Sequence, residues 1–70
     1  MNIKLIKEEI ENNIGKEVSA RINLGRNKVE SFDGVINASY PFLFTILLDN
    51  EIKSFSYSDV LTKTLELQYK

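Results

Sequence analysis

Phe32-Asp33-Gly34-Val35-Ile36-Asn37-Ala38-Ser39-Tyr40-Pro41-Phe42-Leu43-Phe44-Thr45-Ile46-Leu47-Leu48-Asp49 is the stretch on which the reading of this 70-residue chain turns. Its first half alternates, so Phe32, Gly34, Ile36, Ala38 and Tyr40 share one face of a strand. Pro41 ends that strand, because proline has no N–H to give a ladder. A further strand runs over 42–49, with Phe42, Phe44, Ile46 and Leu48 on one face. Leu43, Thr45 and Leu47 form the other face, which is also largely apolar, and a strand apolar on both faces is normally covered on both. One cover is a barrel interior. The other is the N-terminal helix or another subunit, which makes Leu43 and Leu47 candidate interface residues. Gly34 weakens a strand unless a bend or a close backbone approach needs it. It is read here as the corner of a small barrel.

Upstream, Val18, Ala20, Ile22 and Leu24 alternate with Ser19, Arg21 and Asn23, which predicts a half-buried strand over about 17–24. Gly25-Arg26-Asn27-Lys28 is a turn, with Gly and Asn supplying backbone freedom, and the strand beyond it covers about 29–40. Before these, Ile3, Ile6, Ile10 and Ile14 form a narrow stripe on a helix over 3–14, with Asn2 as N-cap and Gly15 as its stop. Downstream, Asp49-Asn50-Glu51 is a tight turn into a strand over 52–57. A single helical turn follows, capped by Ser58 or Asp59, and a last strand covers 62–69. One helix and five short strands predict a mainly β chain: a single SH3-like (Sm-like) small barrel domain over 1–70. An open meander with the helix packed on it is the alternative.

Composition narrows the function. The chain is 43% hydrophobic and 27% charged, which is an ordinary globular mixture. Cysteine and histidine are both absent, which removes disulfides, structural zinc, the thiolate nucleophile and the commonest general base. There is no Gly-rich phosphate loop. Asp33 and Asp59 are the best carboxylates for acid–base work, yet they sit beside Gly34 and Ser58, where a bend and a cap explain them better. The expectation is a non-enzyme with no catalytic residues, cofactor or metal. No N-terminal apolar core of a signal peptide is present, and the longest apolar run is far shorter than a membrane helix needs. A cytoplasmic protein without membrane association is expected.

A net charge of −1 argues against a generic nucleic-acid binder. Any such role needs a local patch, and the candidates are Arg21, Arg26 and Lys28 around the first hairpin, gathered about a phosphate or an acidic partner. The competing reading is a solvated tip with Arg21 paired to Glu30 across the strands. Tyr40, Tyr57 and Tyr69 are better read as barrel residues with rim hydroxyls than as stacking platforms.

Gly25-Arg26-Asn27-Lys28, Gly34-Val35-Ile36, Tyr40-Pro41, Phe44-x-Ile46-x-Leu48-Asp49 and Ser56-Tyr57-Ser58-Asp59-Val60-Leu61-Thr62 together resemble the Veg family of small Gram-positive bacterial proteins. The resemblance runs over nearly the whole chain. It implies an SH3-type barrel linked to stimulation of biofilm formation through transcriptional regulation, with no catalytic residues. Asn27 stands where a further basic residue is expected. A second likeness is to Sm-like RNA-binding proteins, through Phe32-x-Gly34-x-Ile36. It fails downstream, where Tyr40 replaces an expected Asp, Phe44 replaces a base-binding Asn, and Ser56 to Asp59 lacks Arg-Gly. The leading expectation is a regulator that binds a protein partner, with a homodimer as a further option. Nucleic-acid binding through the hairpin patch is the less favoured alternative.

Overall fold

The computed structural model describes residues 2–70. The Asn2 side-chain oxygen accepts from the Leu5 N–H at 2.9 Å and starts α1 (Ile3–Glu11). Ile6 and Ile10, one turn apart, are fully buried. Each stabilises the fold by roughly 1.5–3 kcal/mol. A domain this small holds only about 3–5 kcal/mol in all, so the helix is part of the core and not an accessory.

The helix ends at Glu11, short of the expected residue 14. Asn13 turns its side-chain amide back onto the Glu9 carbonyl at 2.7 Å. Gly15 then takes a positive φ of 88° and donates its N–H to the Ile36 carbonyl at 2.8 Å. This pins the chain to the sheet and leaves Ile14 exposed, off the helical stripe.

The strands are β1 (Glu17–Gly25), β2 (Lys28–Ser39), β3 (Leu43–Leu47), β4 (Ile52–Ser56) and β5 (Leu65–Tyr69), with a short helix α2 (Tyr57–Leu61) before the last. They form one antiparallel sheet in the order β4-β3-β2-β1-β5. The chain is therefore mainly β, with one open five-stranded sheet and an N-terminal helix. Among the described residues no pairing joins β4 to β5, so these two are the sheet's edges.

Val18 and Ala20 of β1, Ile36 of β2, Phe44 and Ile46 of β3 and Leu65 of β5 meet Ile6, Ile10 and Tyr57 in one core. Phe44 stacks on Tyr57 with ring centroids 5.5 Å apart and leans on Phe55, which stacks on Phe32. Gly34 lies where β2 comes closest to β3. A Cβ there would fall 2.6 Å from Ile46 Cγ2 and 2.7 Å from the Leu47 carbonyl oxygen. The irregularity in β2 comes three residues later: Ile36 pairs with Ile46 but Ala38 with Thr45, leaving Asn37 as the extra residue of a bulge. The Asn37 amide donates to Thr45 Oγ1 at 3.1 Å, which satisfies a buried hydroxyl.

Three further boundaries differ from the sequence reading. Phe42 lies outside β3, because the Tyr40 N–H donates to the Leu43 carbonyl at 2.8 Å and leaves Pro41 and Phe42 as a two-residue turn. Tyr57 opens α2 instead of closing β4, and the cap is Ser56, whose hydroxyl accepts from the Asp59 N–H at 3.3 Å. Thr62 caps the end of α2 and Lys63 adopts a φ of 63°, so β5 begins only at Leu65.

Candidate functional site

Residues paired directly across an antiparallel sheet share a face. Leu47 pairs with Ile52, Thr45 with Ser54 and Leu43 with Ser56. Phe44 and Ile46 point the opposite way, into the core with α1. Neither Ile6 nor Ile10 thus covers Leu43 and Leu47, which are 37% and 40% exposed. Ile52 adds to the same face at 56%. At its margin Phe42 stands 86% exposed, beside a half-exposed Tyr40. A shallow depression of about 490 Å³ is bordered by Tyr40, Pro41, Phe42, Leu43, Thr45 and Ser54. No formal charge lies on this outer face of β3 and β4.

The turn that carries Phe42 is held from beneath. The buried Tyr57 hydroxyl donates to the Tyr40 carbonyl at 2.7 Å. Having given its only proton there, it accepts from the Ser39 hydroxyl at 2.6 Å. With the bond from the Tyr40 N–H to Leu43, the turn is ordered before any partner arrives. The bonds fix the backbone of the turn, while the Phe42 ring itself stands in solvent.

The basic residues are distributed differently. Arg26 and Asn27 both have positive φ, 47° and 63°, the signature of a type I′ hairpin loop, and Lys28 pairs with Gly25 to close it. Arg26 and Lys28 therefore share the tip. Arg21 lies five residues back along β1, roughly 16 Å away at about 3.3 Å per residue. Its cross-strand neighbours are Ser31 and Glu66. The expected pairing of Arg21 with Glu30 does not form, because the register sets Glu30 opposite Ile22 on the other face. Arg21 instead borders a cavity of about 130 Å³ with Asn23, Val29, Lys63 and Glu66. Lys63 was not singled out by the sequence. It arrives through tertiary pairing, where the Asn23 N–H donates to the Thr64 carbonyl at 2.9 Å.

Asp33 accepts from the Ser19 hydroxyl at 2.6 Å and pairs with Lys70 at 3.3 Å. The Ser19 hydrogen bond, followed by the Lys70 contacts, holds its carboxyl below the ordinary value. That keeps Asp33 ionised, which suits a surface bridge. Asp59 sits in the first turn of α2, where an acidic residue complements the helix terminus. Among the described residues no group of three or more acidic side chains could hold a metal ion, and no helix is long and apolar enough to cross a membrane.

The family model described as "Biofilm formation stimulator VEG" matches residues 1–68 of the chain. Among curated proteins, none matches it.

Proposed function

Because the chain belongs to the Veg family of biofilm formation stimulators, we propose that it is a non-catalytic, cytoplasmic regulatory protein that acts by binding another protein. On this reading the sheet and its helix form an SH3-like small barrel, and biofilm formation is stimulated through control of transcription. The observation that carries the reading is the uncharged outer face of β3 and β4, with Leu43, Leu47 and Ile52 exposed beside Phe42 on a hydrogen-bonded turn. A surface of this kind binds through an aromatic anchor ringed by apolar contacts.

The test is a variant carrying Leu43→Lys and Leu47→Lys, produced in a biofilm-forming host that lacks its own copy. A photo-crosslinking residue at Phe42 identifies what the face touches. Biofilm stimulation is expected to fall with the double variant while its thermal unfolding stays cooperative. Undiminished stimulation by the folded double variant rules the face out.

One observation favours a second reading, nucleic-acid binding at the hairpin tip. Arg26 is neither Gly nor Asn yet sits at a φ of 47°, a conformation that costs an ordinary residue roughly 1–2 kcal/mol. An arginine placed at the tip at that cost suits a guanidinium that contacts phosphate. Binding to a duplex should then weaken steeply with salt, and Arg26→Glu should abolish it.

A further inference from the structure

The two sheet edges differ in how they are protected. β5 carries Glu66 and is followed by Lys70, so charge guards it against pairing with another strand. β4 is Ile52-Lys53-Ser54-Phe55-Ser56, and its single charge, Lys53, points to the core side, where its ammonium sits 5.8 Å from the centre of the Phe32 ring. The outward side chains Ile52, Ser54 and Ser56 are small or apolar.

Alternation fixes which backbone groups of β4 are free. The Leu48 N–H donates to the Glu51 carbonyl at 2.8 Å, closing the turn between β3 and β4. In an antiparallel ladder hydrogen-bonded and non-bonded pairs alternate from that point. Lys53 and Phe55 therefore bond to Ile46 and Phe44. The N–H and C=O groups of Ile52 and Ser54 and the N–H of Ser56 point away from the sheet, whereas the Ser56 carbonyl, at the N-cap of α2, is taken by the first turn of that helix.

We propose that the β4 edge pairs with the β4 edge of a second copy, antiparallel, about a two-fold axis at Ser54. Self-complementarity singles out that occupant and that register. Centring on Ser54 sets Ile52 against the partner's Ser56, pairs the Ser54 backbone groups of the two copies with each other and gives each Ser56 N–H the partner's Ile52 carbonyl. It also sets Lys53 against the partner's Phe55, a cation beside an aromatic ring. A shift by one pair in one direction would set Lys53 against itself, and a shift in the other loses a set of hydrogen bonds. Two copies of a chain with a net charge of −1 also repel least along a strip that carries no acidic side chain. The pairing deepens the proposed binding role and rests on it for biological meaning, since it joins Leu43, Leu47 and Ile52 of both copies into one continuous outer surface. Two five-residue edges bury only a few hundred Å², under the ~800 Å² per partner of a standard interface. The dimer is accordingly a weak, concentration-dependent one.

Sedimentation equilibrium of the full chain, from micromolar to millimolar protein, tests this together with Ser54→Lys and Ser54→Glu. Ser54 is exposed, so neither change disturbs the core. The wild type should pass from monomer to dimer. Each variant alone should associate about fivefold more weakly, from like charges set directly opposite, and an equimolar mixture of the two should recover a dimer at least as tight as wild type. A wild type that stays monomeric overturns the pairing, as do variants that self-associate like wild type or a mixture that gains nothing. These changes leave Leu43 and Leu47 intact. A monomeric wild type whose biofilm stimulation still falls with Leu43→Lys and Leu47→Lys would sink the dimer alone and leave the binding face standing.

Discussion

The Tyr57 hydroxyl donates to the Tyr40 carbonyl oxygen across 2.7 Å, tying the first residue of α2 to the turn between β2 and β3. Tyr57 is 1% exposed, so the bond lies at the edge of the core and has little competition from water. Tyr57→Phe keeps the ring stacked on Phe44 but leaves the Tyr40 carbonyl and the Ser39 hydroxyl without this partner. The expected loss is about 1–3 kcal/mol, read from the urea midpoint. Amide exchange at Tyr40 should quicken as the turn loosens. Tyr40→Phe is the control. Its side chain is half-exposed and the bond uses only its carbonyl, so stability should hardly move.

Gly34→Ala should destabilise by about 2 kcal/mol or more, toward the upper end of overpacking costs. The new methyl would meet the Leu47 carbonyl oxygen at 2.7 Å as well as side-chain carbons of Ile46 and Leu48. Side chains can swing aside, but a backbone oxygen in the β2–β3 ladder cannot. Gly25→Ala makes a useful contrast. Nothing lies within 4 Å of that position, and its φ of 79° is the only penalty, worth about 1–2 kcal/mol. Chemical denaturation should rank Gly34→Ala as the more damaging.

Burial pushes the Tyr69 phenol up from 10.0 to about 12, with Glu9 adding a smaller push in the same direction. The folded state thus holds the proton more tightly than the unfolded state. Its contribution to stability is fully present below pH 10 and is lost as pH rises toward 12. Wild-type stability should decline over that window, and Tyr69→Phe should flatten much of the decline. Absorbance of the phenolate, compared between wild type and Tyr69→Phe, should show Tyr69 ionising later than a free tyrosine. Ionisation of Tyr69 at the ordinary value would contradict the burial argument.

Where the sequence could be read and where it could not follows from the range of the forces involved. Val18, Ala20 and Ile22 alternate, and the structure puts them on one face of β1, because pleat and burial are local consequences of pattern. The Asn2 cap was legible for the same reason. The stop of α1 was read too late: the helix closes at Glu11 with Asn12 as its cap, and Gly15, read as the stop, instead bonds to Ile36, which is distant in sequence. The cap of α2 moved to Ser56 because Tyr57, apolar enough to extend a strand, is drawn into the core from a helix instead. Phe42 looked like a core residue by period two, but the Tyr40–Leu43 bond makes it part of a turn. Of the candidate site, Leu43 and Leu47 were visible as a second apolar face. That the helix would leave them uncovered depends on which side of the sheet α1 packs. The company Lys63 keeps with Arg21 depends on the pairing of β1 with β5, which no short window of sequence encodes.

The two faces of β3 should respond oppositely to the same kind of substitution. Phe44 and Ile46 are fully buried among α1, β2 and Tyr57. Phe44→Ala should cost about 3–5 kcal/mol, which approaches everything a domain of this size has, so the variant should be largely unfolded at room temperature. Leu43 and Leu47 alternate with them along the same strand but already meet solvent over more than a third of their surface. Leu47→Ser should cost only about 1–2 kcal/mol, because the transfer energy lost is confined to the covered part of one side chain. Circular dichroism during urea unfolding separates the cases. If Leu47→Ser unfolds the protein as Phe44→Ala does, the outer face is structural and its exposed apolar residues need no partner. If it stays folded, Leu47 is not needed to hold the fold, and the outer face is free to serve as a contact surface.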